Sequence, residues 1–324
     1  MKQKQNIIFF GTPEFAAAQL ENMIQSGYSV VAAVTASDKP AGRGKKMQQS
    51  AVKTVAIQHN IPVLQPEKLK DSKFITELES YNASLFVVIA FRMLPETVWR
   101  IPYLGTINLH ASLLPNYRGA APINRAIMNG EKITGLTTFF IDDKIDEGKI
   151  IKQLSIEIGN EETAGELHDR MIEEGKQLMI DTLDSIFDQK VQAKQQSQFM
   201  NQDSEIKFAP KIFKDDCRIH WKQSIDQIFN QIRGLSPYPA AFTSFKSSDG
   251  QILELKIFQT TVEKNIPSEK LFTIVTDNKK YLKIALTDAY LVLLRIQQPG
   301  KKSMEVSEFL RGFQISSNLQ IIFD

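Results

Sequence analysis

Asn108 and His110 stand two residues apart in the run TINLHASLLPNYRG, residues 106–119. Side chains of an extended chain alternate faces, so residues i and i+2 project together. An amide and an imidazole aimed at one point are the kind of donors a developing oxyanion needs. Ile107 and Leu109, on the other parity, then face a core. The turn residues of SLLPNYRG end the strand and open a loop beyond it. A histidine in such a place needs a partner that sets its protonation. Asp142, Asp143 and Asp146, in FFIDDKIDEGK, are the candidates, in a turn between two apolar runs. Spacing alone does not choose among them.

Other chemistries find little support. FFGTPEF follows an apolar run but lacks the second and third glycines of a dinucleotide fingerprint. PAGRGKKM lacks the four-residue gap and the Ser or Thr of a P-loop. Its Arg43, Lys45 and Lys46 suit a basic clamp on phosphates instead. Gly-x-Ser-x-Gly is absent, and four histidines form no metal-binding cluster. Cys217 is the only cysteine, which excludes an intrachain disulfide and a Cys-rich zinc site.

The elements that position these residues follow from periodicity. Residues 6–10 are a short apolar run ended by Gly11, a buried strand. Thr12 and Pro13 predict an N-cap and a first helical residue, with the helix running to Ser26 and Gly27 closing it. Residues 29–36 give a second strand, so the chain starts as a βαβ unit, which implies a parallel sheet. Helices are expected over 50–59, 71–81, 95–100 and 122–129, and a long one over 163–189. LFVVIA, residues 85–90, has the unbroken apolar character of a sheet centre. Residues 105–110, 134–141 and 149–157 add further strands. The fold class read from this pattern is α/β: a Rossmann-like, open, mostly parallel sheet with helices on both faces, over residues 1–189. Residues 190–206, polar and Gln-rich, read as a linker. From 207 to 324 the period changes: a helix over 224–233 precedes short alternating runs separated by turns. That pattern predicts a small OB-like β-barrel.

A chain of 324 residues is long enough for two domains. Its net charge of +2 is uneven, with 17 Lys and Arg against 13 Asp and Glu from residue 205 onward, and 22 against 24 before it. A mildly basic C-terminal part suits a polyanionic partner. No apolar stretch approaches the roughly 20 residues of a membrane span. The N-terminal apolar run is too short for a secretory signal, so a cytoplasmic location is expected.

Taken together, Asn108-x-His110, Ser112-Leu113-Leu114-Pro115-x-x-Arg118-Gly119 and an aspartate 36 residues after the histidine resemble the 10-formyltetrahydrofolate-dependent formyltransferases. FGTPEF, PAGRGKK and RGAAPI, with APKIFKDD, Ile219-His220-Trp221 and QPGKK further on, resemble the branch that acts on charged initiator tRNA. The resemblance covers essentially the whole chain. It implies transfer of the formyl group from 10-formyltetrahydrofolate, a co-substrate, to the α-amine of methionine on initiator tRNA, for translation initiation, with no metal. It implies Asn108, His110 and Asp146 as the catalytic trio. It implies Ser112, Leu113, Leu114 and Pro115 as folate contacts, with the pterin near residues 88–90 and the 140–146 turn. Arg43, Lys45 and Lys46 are implied to meet the tRNA acceptor end, and the C-terminal barrel to hold the acceptor arm. A monomer away from membranes is the expected state. The chain departs from the usual pattern at Phe91-Arg92, commonly Tyr-Gly, and at Lys144 and Lys149, commonly a glycine and an acid. Two other readings compete: the same chemistry on an amino-sugar nucleotide or on water, and a non-catalytic nucleic-acid binder. PAGRGKK argues against the first, and the intact trio against the second.

Overall fold

The computed structural model describes residues 5–41, 46–200, 205–247, 250, 252–315 and 319–323, with the side chains of Ala41 and Lys46 left out. It divides into two compact units, each discontinuous in sequence. The first comprises residues 1–119, 134–156 and 168–208, the second 120–133, 157–167 and 209–324.

The chain begins β1 (Asn6–Gly11), α1 (Glu14–Gln25), β2 (Ser29–Val34), β3 (Lys39–Ala41), β4 (Lys46–Gln48), α2 (Ala51–Gln58) and β5 (Val63–Leu64). It continues with α3 (Ser72–Ser80), β6 (Leu85–Ile89), α4 (Glu96–Trp99), β7 (Thr106–His110), β8 (Arg118–Gly119) and α5 (Pro122–Met128). Then come β9 (Ile133–Phe140), β10 (Ile150–Glu157), α6 (Ala164–Phe187) and β11 (Phe208–Ala209).

The main sheet of the first unit has the order β10-β9-β7-β6-β1-β2-β5. From β5 to β7 neighbouring strands run parallel, and β9 runs antiparallel to β7. Every residue of β6 is buried, as its unbroken apolar run demands. Alternation gives each strand two apolar faces. Ile8, Phe10, Phe86 and Val88 share a cluster with Phe74 and Leu78 of α3. Leu109 and Leu136 lie instead against Gly175 of α6. Helix α6 is also tied to α1, since Gln19 Nε2 donates to Ile172 O at 2.8 Å and Asn22 Nδ2 to Lys176 O at 3.1 Å. The open, mostly parallel sheet with helices on both faces is therefore present.

One local expectation fails. Pro13, not Thr12, is the N-cap of α1, with extended backbone and no side-chain cap. Its carbonyl accepts Ala17 N at 3.0 Å, so the first turn closes one residue later than the Thr-Pro reading placed it. The proline ring fixes φ but leaves ψ free, so the extended N-cap conformation is open to it.

Strand order reverses about β1: the chain leaves it for β2, then returns past it to β6. Open sheets of this kind bind ligands in the crevice beyond the carboxyl ends at such a reversal. Gly11 and Ile89 pair at that end of β1 and β6, and His110 ends β7 beside them.

The second unit holds α7 (Ile225–Leu235), β12 (Ala241–Lys246), β13 (Ile252–Glu263), β14 (Ile274–Thr276), β15 (Leu282–Ala285), β16 (Tyr290–Gln297), β17 (Met304–Glu305), α8 (Val306–Gly312) and β18 (Gln320–Ile321). Ser224 starts α7 with a capping box completed by Gln227. The antiparallel sheet has the order β14-β15-β16-β13-β12-β18, with β17 on β16. Register shifts on both sides of Gln259 break the β13–β16 ladder. Such irregularities bend a strand and raise its twist, which is how a sheet curls into a barrel. The result is a nearly closed, barrel-like sheet around Leu255, Ile257, Leu291 and Leu293, with Trp221 in the same core. Trp221 Nε1 donates to Thr243 Oγ1 at 2.9 Å, so the indole is buried without an orphaned donor.

Phe86 is fully buried, with its ring 5.1 Å from that of Phe10. Phe86→Ala is expected to cost about 3–5 kcal/mol, read by urea denaturation. A loss under about 1 kcal/mol would contradict the central place of β6.

Candidate functional site

The site is built where β7 ends. Asn108 and His110 share a face of this strand, while Ile107 and Leu109 are buried on the other. His110 is 7% exposed. Its Nε2 lies 2.8 Å from Tyr117 O. A carbonyl only accepts, so Nε2 carries the proton and Nδ1 is the other edge. Nδ1 faces Asp146 Oδ2 at 3.8 Å, and the two side chains are 8% and 14% exposed. That distance is too long for a direct hydrogen bond. It leaves an ion pair when the imidazole is protonated, in surroundings that screen it weakly. The half-buried Asn108 side chain has no hydrogen-bond partner among the described residues, so its amide is available to a ligand.

Asp146 is held from two sides. Its Oδ2 accepts Gly119 N at 2.9 Å. Its backbone carbonyl accepts Gln196 Nε2 at 2.8 Å, and the same nitrogen donates to Gly148 O at 3.0 Å. Asp146 sits at φ +54°, and Tyr117 and Ala90 at +62° and +47°. For non-glycine residues this left-handed region costs of order 1–3 kcal/mol when strained, and such residues collect at functional sites. The turn has no room to spare: a Cβ on Gly148 would lie 1.7 Å from Phe140 O. Of the other two candidate aspartates, Asp142 accepts Lys144 N at 3.0 Å within the turn, and Asp143 is exposed.

The loop after β7 is pinned by one hydroxyl. Thr137 Oγ1 donates to Ser112 O at 2.6 Å and accepts Leu114 N at 3.1 Å and Gln153 Nε2 at 3.0 Å. Gln153 also donates to Leu114 O at 2.9 Å. Ser112 is fully buried and donates to Asn116 O at 2.7 Å. Leu114 packs with Phe139 and Ile150. Ser112 and Leu114, two and four residues after His110, are thus fixed in place.

The departures from the family pattern have definite places. Phe91 packs edge-on against Phe10 at 5.9 Å. Arg92 lies over the Phe91 ring, and its guanidinium donates to the carbonyls of Pro66 and Glu67. A cavity of about 740 Å³ opens beside them, lined by Leu69, Ile75, Arg92, Leu94 and Thr97 among others. Lys144 and Lys149 are exposed. Arg43 and Lys45 lie outside the described residues, as does the Lys46 side chain. Just before β3, Asp38 Oδ2 meets Lys53 Nζ at 2.6 Å, and the same ammonium donates to Gln65 Oε1 at 2.9 Å. The hydrogen bond from Lys53, then that from Gln65, holds the Asp38 carboxyl below its usual range. Among the described residues no group of side chains could hold a metal ion, and no helix is long and apolar enough to cross a membrane.

Sequence reasoning did not single out Tyr117, Thr137, Gln153 or Gln196. The first acts through its carbonyl, and the second lies among other β-branched residues of a strand. Gln196 lies in a stretch whose composition resembles a linker.

This fold and this cluster define a class. The chain belongs to the formyl transferase family: the family's formyl transferase model matches residues 5–183, and its C-terminal domain model matches residues 211–314. Within that class, the chain is similar to proteins named methionyl-tRNA formyltransferase. That of Bacteroides thetaiotaomicron is 45% identical over 99% of both chains, and that of Flavobacterium johnsoniae 48% identical over 98% of this chain and 99% of its own. Among solved structures, the sugar 3N-formyl transferase WlaRD, solved with dTDP and 5-N-formyl-tetrahydrofolate, shares the fold with a TM-score of 0.65. It is 18% identical, over 93% of this chain and 100% of its own.

Thr137→Val keeps the shape but removes the hydroxyl that Ser112, Leu114 and Gln153 share. Stability is expected to fall by about 1–3 kcal/mol, measured by chemical denaturation. An unchanged midpoint would mean that the hydroxyl does not pin the loop.

Proposed function

We propose that this protein transfers the formyl group of 10-formyltetrahydrofolate to the α-amine of methionine esterified to initiator tRNA, for translation initiation. The observation that carries the reading is the pairing of the Asn108 amide, which has no hydrogen-bond partner among the described residues, with a His110–Asp146 couple at the end of β7. The near-full-length similarity to methionyl-tRNA formyltransferases supports the acceptor.

The catalytic trio is Asn108, His110 and Asp146. As the amine attacks the formyl carbon, negative charge grows on the formyl oxygen. Asn108 Nδ2 donates to that oxygen. His110 Nε2 is committed to Tyr117 O, so the Nδ1 edge does the work. With a proton on Nδ1, which lies 3.8 Å from Asp146 Oδ2, it donates a second hydrogen bond to the oxygen. The amine must lose a proton and the departing N10 must gain one. His110 Nδ1 and Asp146 Oδ2 are the two groups at hand for that relay. The folded environment supplies these donors already aimed, so little reorganisation is needed as charge develops.

The folate lies along Ser112, Leu113, Leu114 and Pro115, with the pterin in the crevice near residues 88–90 and the 140–146 turn. Arg43, Lys45 and Lys46 meet the tRNA acceptor end through phosphates. Residues 1–189 carry the catalysis, and residues 207–324 hold the acceptor arm. The protein works as a cytoplasmic monomer. The donor and acceptor sites need no metal.

The test is to incubate the protein with 10-formyltetrahydrofolate and either charged initiator tRNA or an amino-sugar nucleotide. Formylation of the tRNA alone is expected; formylation of the sugar alone would overturn the acceptor. His110→Ala is expected to lower transfer by about 100-fold or more and leave tRNA affinity nearly unchanged. Retention of full turnover would remove His110 from the mechanism. Arg43→Ala is expected to weaken transfer to charged tRNA much more than folate binding. Equal losses would move that loop to the folate site.

A further inference from the structure

Gln196 opens a short 3-10 turn, Gln196–Phe199, after α6, and is 3% exposed. Its amide is used at both ends. Nε2 donates to the carbonyls of Asp146 and Gly148, at 2.8 and 3.0 Å. Oε1 accepts Arg118 Nε at 3.1 Å and Nη2 at 2.7 Å. The orientation is forced, because carbonyls only accept and a guanidinium only donates. The remaining Arg118 Nη1 reaches Glu147 Oε1 at 3.1 Å. Gln196 and Glu147 therefore both tie the 146–148 turn to Arg118, Gln196 through the backbone carbonyls of the turn.

The neighbours of Arg118 give that tie its meaning. Tyr117 O receives His110 Nε2, and Gly119 N donates to Asp146 Oδ2. Gln196 thus clamps the residue between the two backbone groups that hold the imidazole and the carboxylate. It also clamps the backbone of Asp146, a non-glycine residue at φ +54°. A residue held in that region persists only where its surroundings over-determine it. A glutamine that merely satisfied stray carbonyls would have no reason to bridge these two segments.

We infer that Gln196 is a positioning residue for formyl transfer: its bridge between Arg118 and the carbonyls of Asp146 and Gly148 fixes the distance and direction from Asp146 to His110. This rests on the reading of His110 and Asp146 as the catalytic pair. Misplacement of such a pair by about 1 Å costs on the order of 100-fold in rate.

The test uses the full-length protein with 10-formyltetrahydrofolate and charged initiator tRNA. Gln196→Ala is expected to lower kcat by about 10- to 100-fold, with KM for both substrates within about 3-fold. Gln196→Glu keeps the acceptor for Arg118 but turns an anion towards two carbonyls. It is expected to lose kcat at least as far, and it decides the matter if the alanine variant does not fold. Because Gln196 acts through Asp146, adding Gln196→Ala to Asp146→Asn is expected to lower the residual rate by less than about 3-fold. A wild-type kcat in both variants, a loss confined to KM, or an undiminished effect in the Asp146→Asn background would overturn the inference. A wild-type protein that forms no formylmethionyl-tRNA would overturn the functional reading first, and this inference with it.

Discussion

Three consecutive residues, Tyr117 to Gly119, hold the site together. The carbonyl of the first fixes the imidazole of His110, and the amide of the third fixes the carboxylate of Asp146. The side chain of the second is bound by Gln196 and Glu147. Both outer residues have positive φ, +62° and +124°. The second value lies where a side chain is strained and glycine is at ease. With this geometry, a carbonyl and an N–H two residues apart reach the two partners of one ion pair. A histidine on a strand and an aspartate in a turn 36 residues later are thereby held as a single unit.

The rest of the first unit supports that strap. Strand β7 supplies the shared face of Asn108 and His110, and its buried neighbours keep it from shifting. Thr137 of the adjacent β9 fastens the loop that leads from β7 to the strap. Gly148 allows the turn to fold back against Phe140, which brings Asp146 to His110. Weakly screened charges and aimed donors are what a reaction with a developing oxyanion gains from such a site. The cluster is thus built from the face of one strand and the carbonyl and amide of one loop.

Much of this was legible in the residues. The unbroken apolar run of β6 and the βαβ start predicted the parallel sheet, because buried strands have no polar face to show. The two-residue spacing of Asn108 and His110 predicted their common direction. Short alternating runs after residue 224 predicted the barrel. The choice among Asp142, Asp143 and Asp146 was not legible from spacing, since it depends on which carboxylate a distant backbone amide receives. The helix start at Pro13 was misplaced by one residue because Thr-Pro fits two registers of the same cap. Gln196 was hidden because a Gln-rich polar stretch looks the same whether its side chains face water or a buried guanidinium.

The strap makes a definite statement about one proton. With Nε2 bound to the Tyr117 carbonyl, the neutral His110 imidazole carries its hydrogen on Nε2, leaving Nδ1 as the edge that faces Asp146. Nitrogen-15 NMR of the histidine side chains measures this directly, with the His110 signals assigned by their loss in His110→Ala. The account predicts the Nε2–H tautomer for neutral His110. An Nδ1–H tautomer would contradict it, because the bond to Tyr117 would then be absent and the working edge of the imidazole would be the other one.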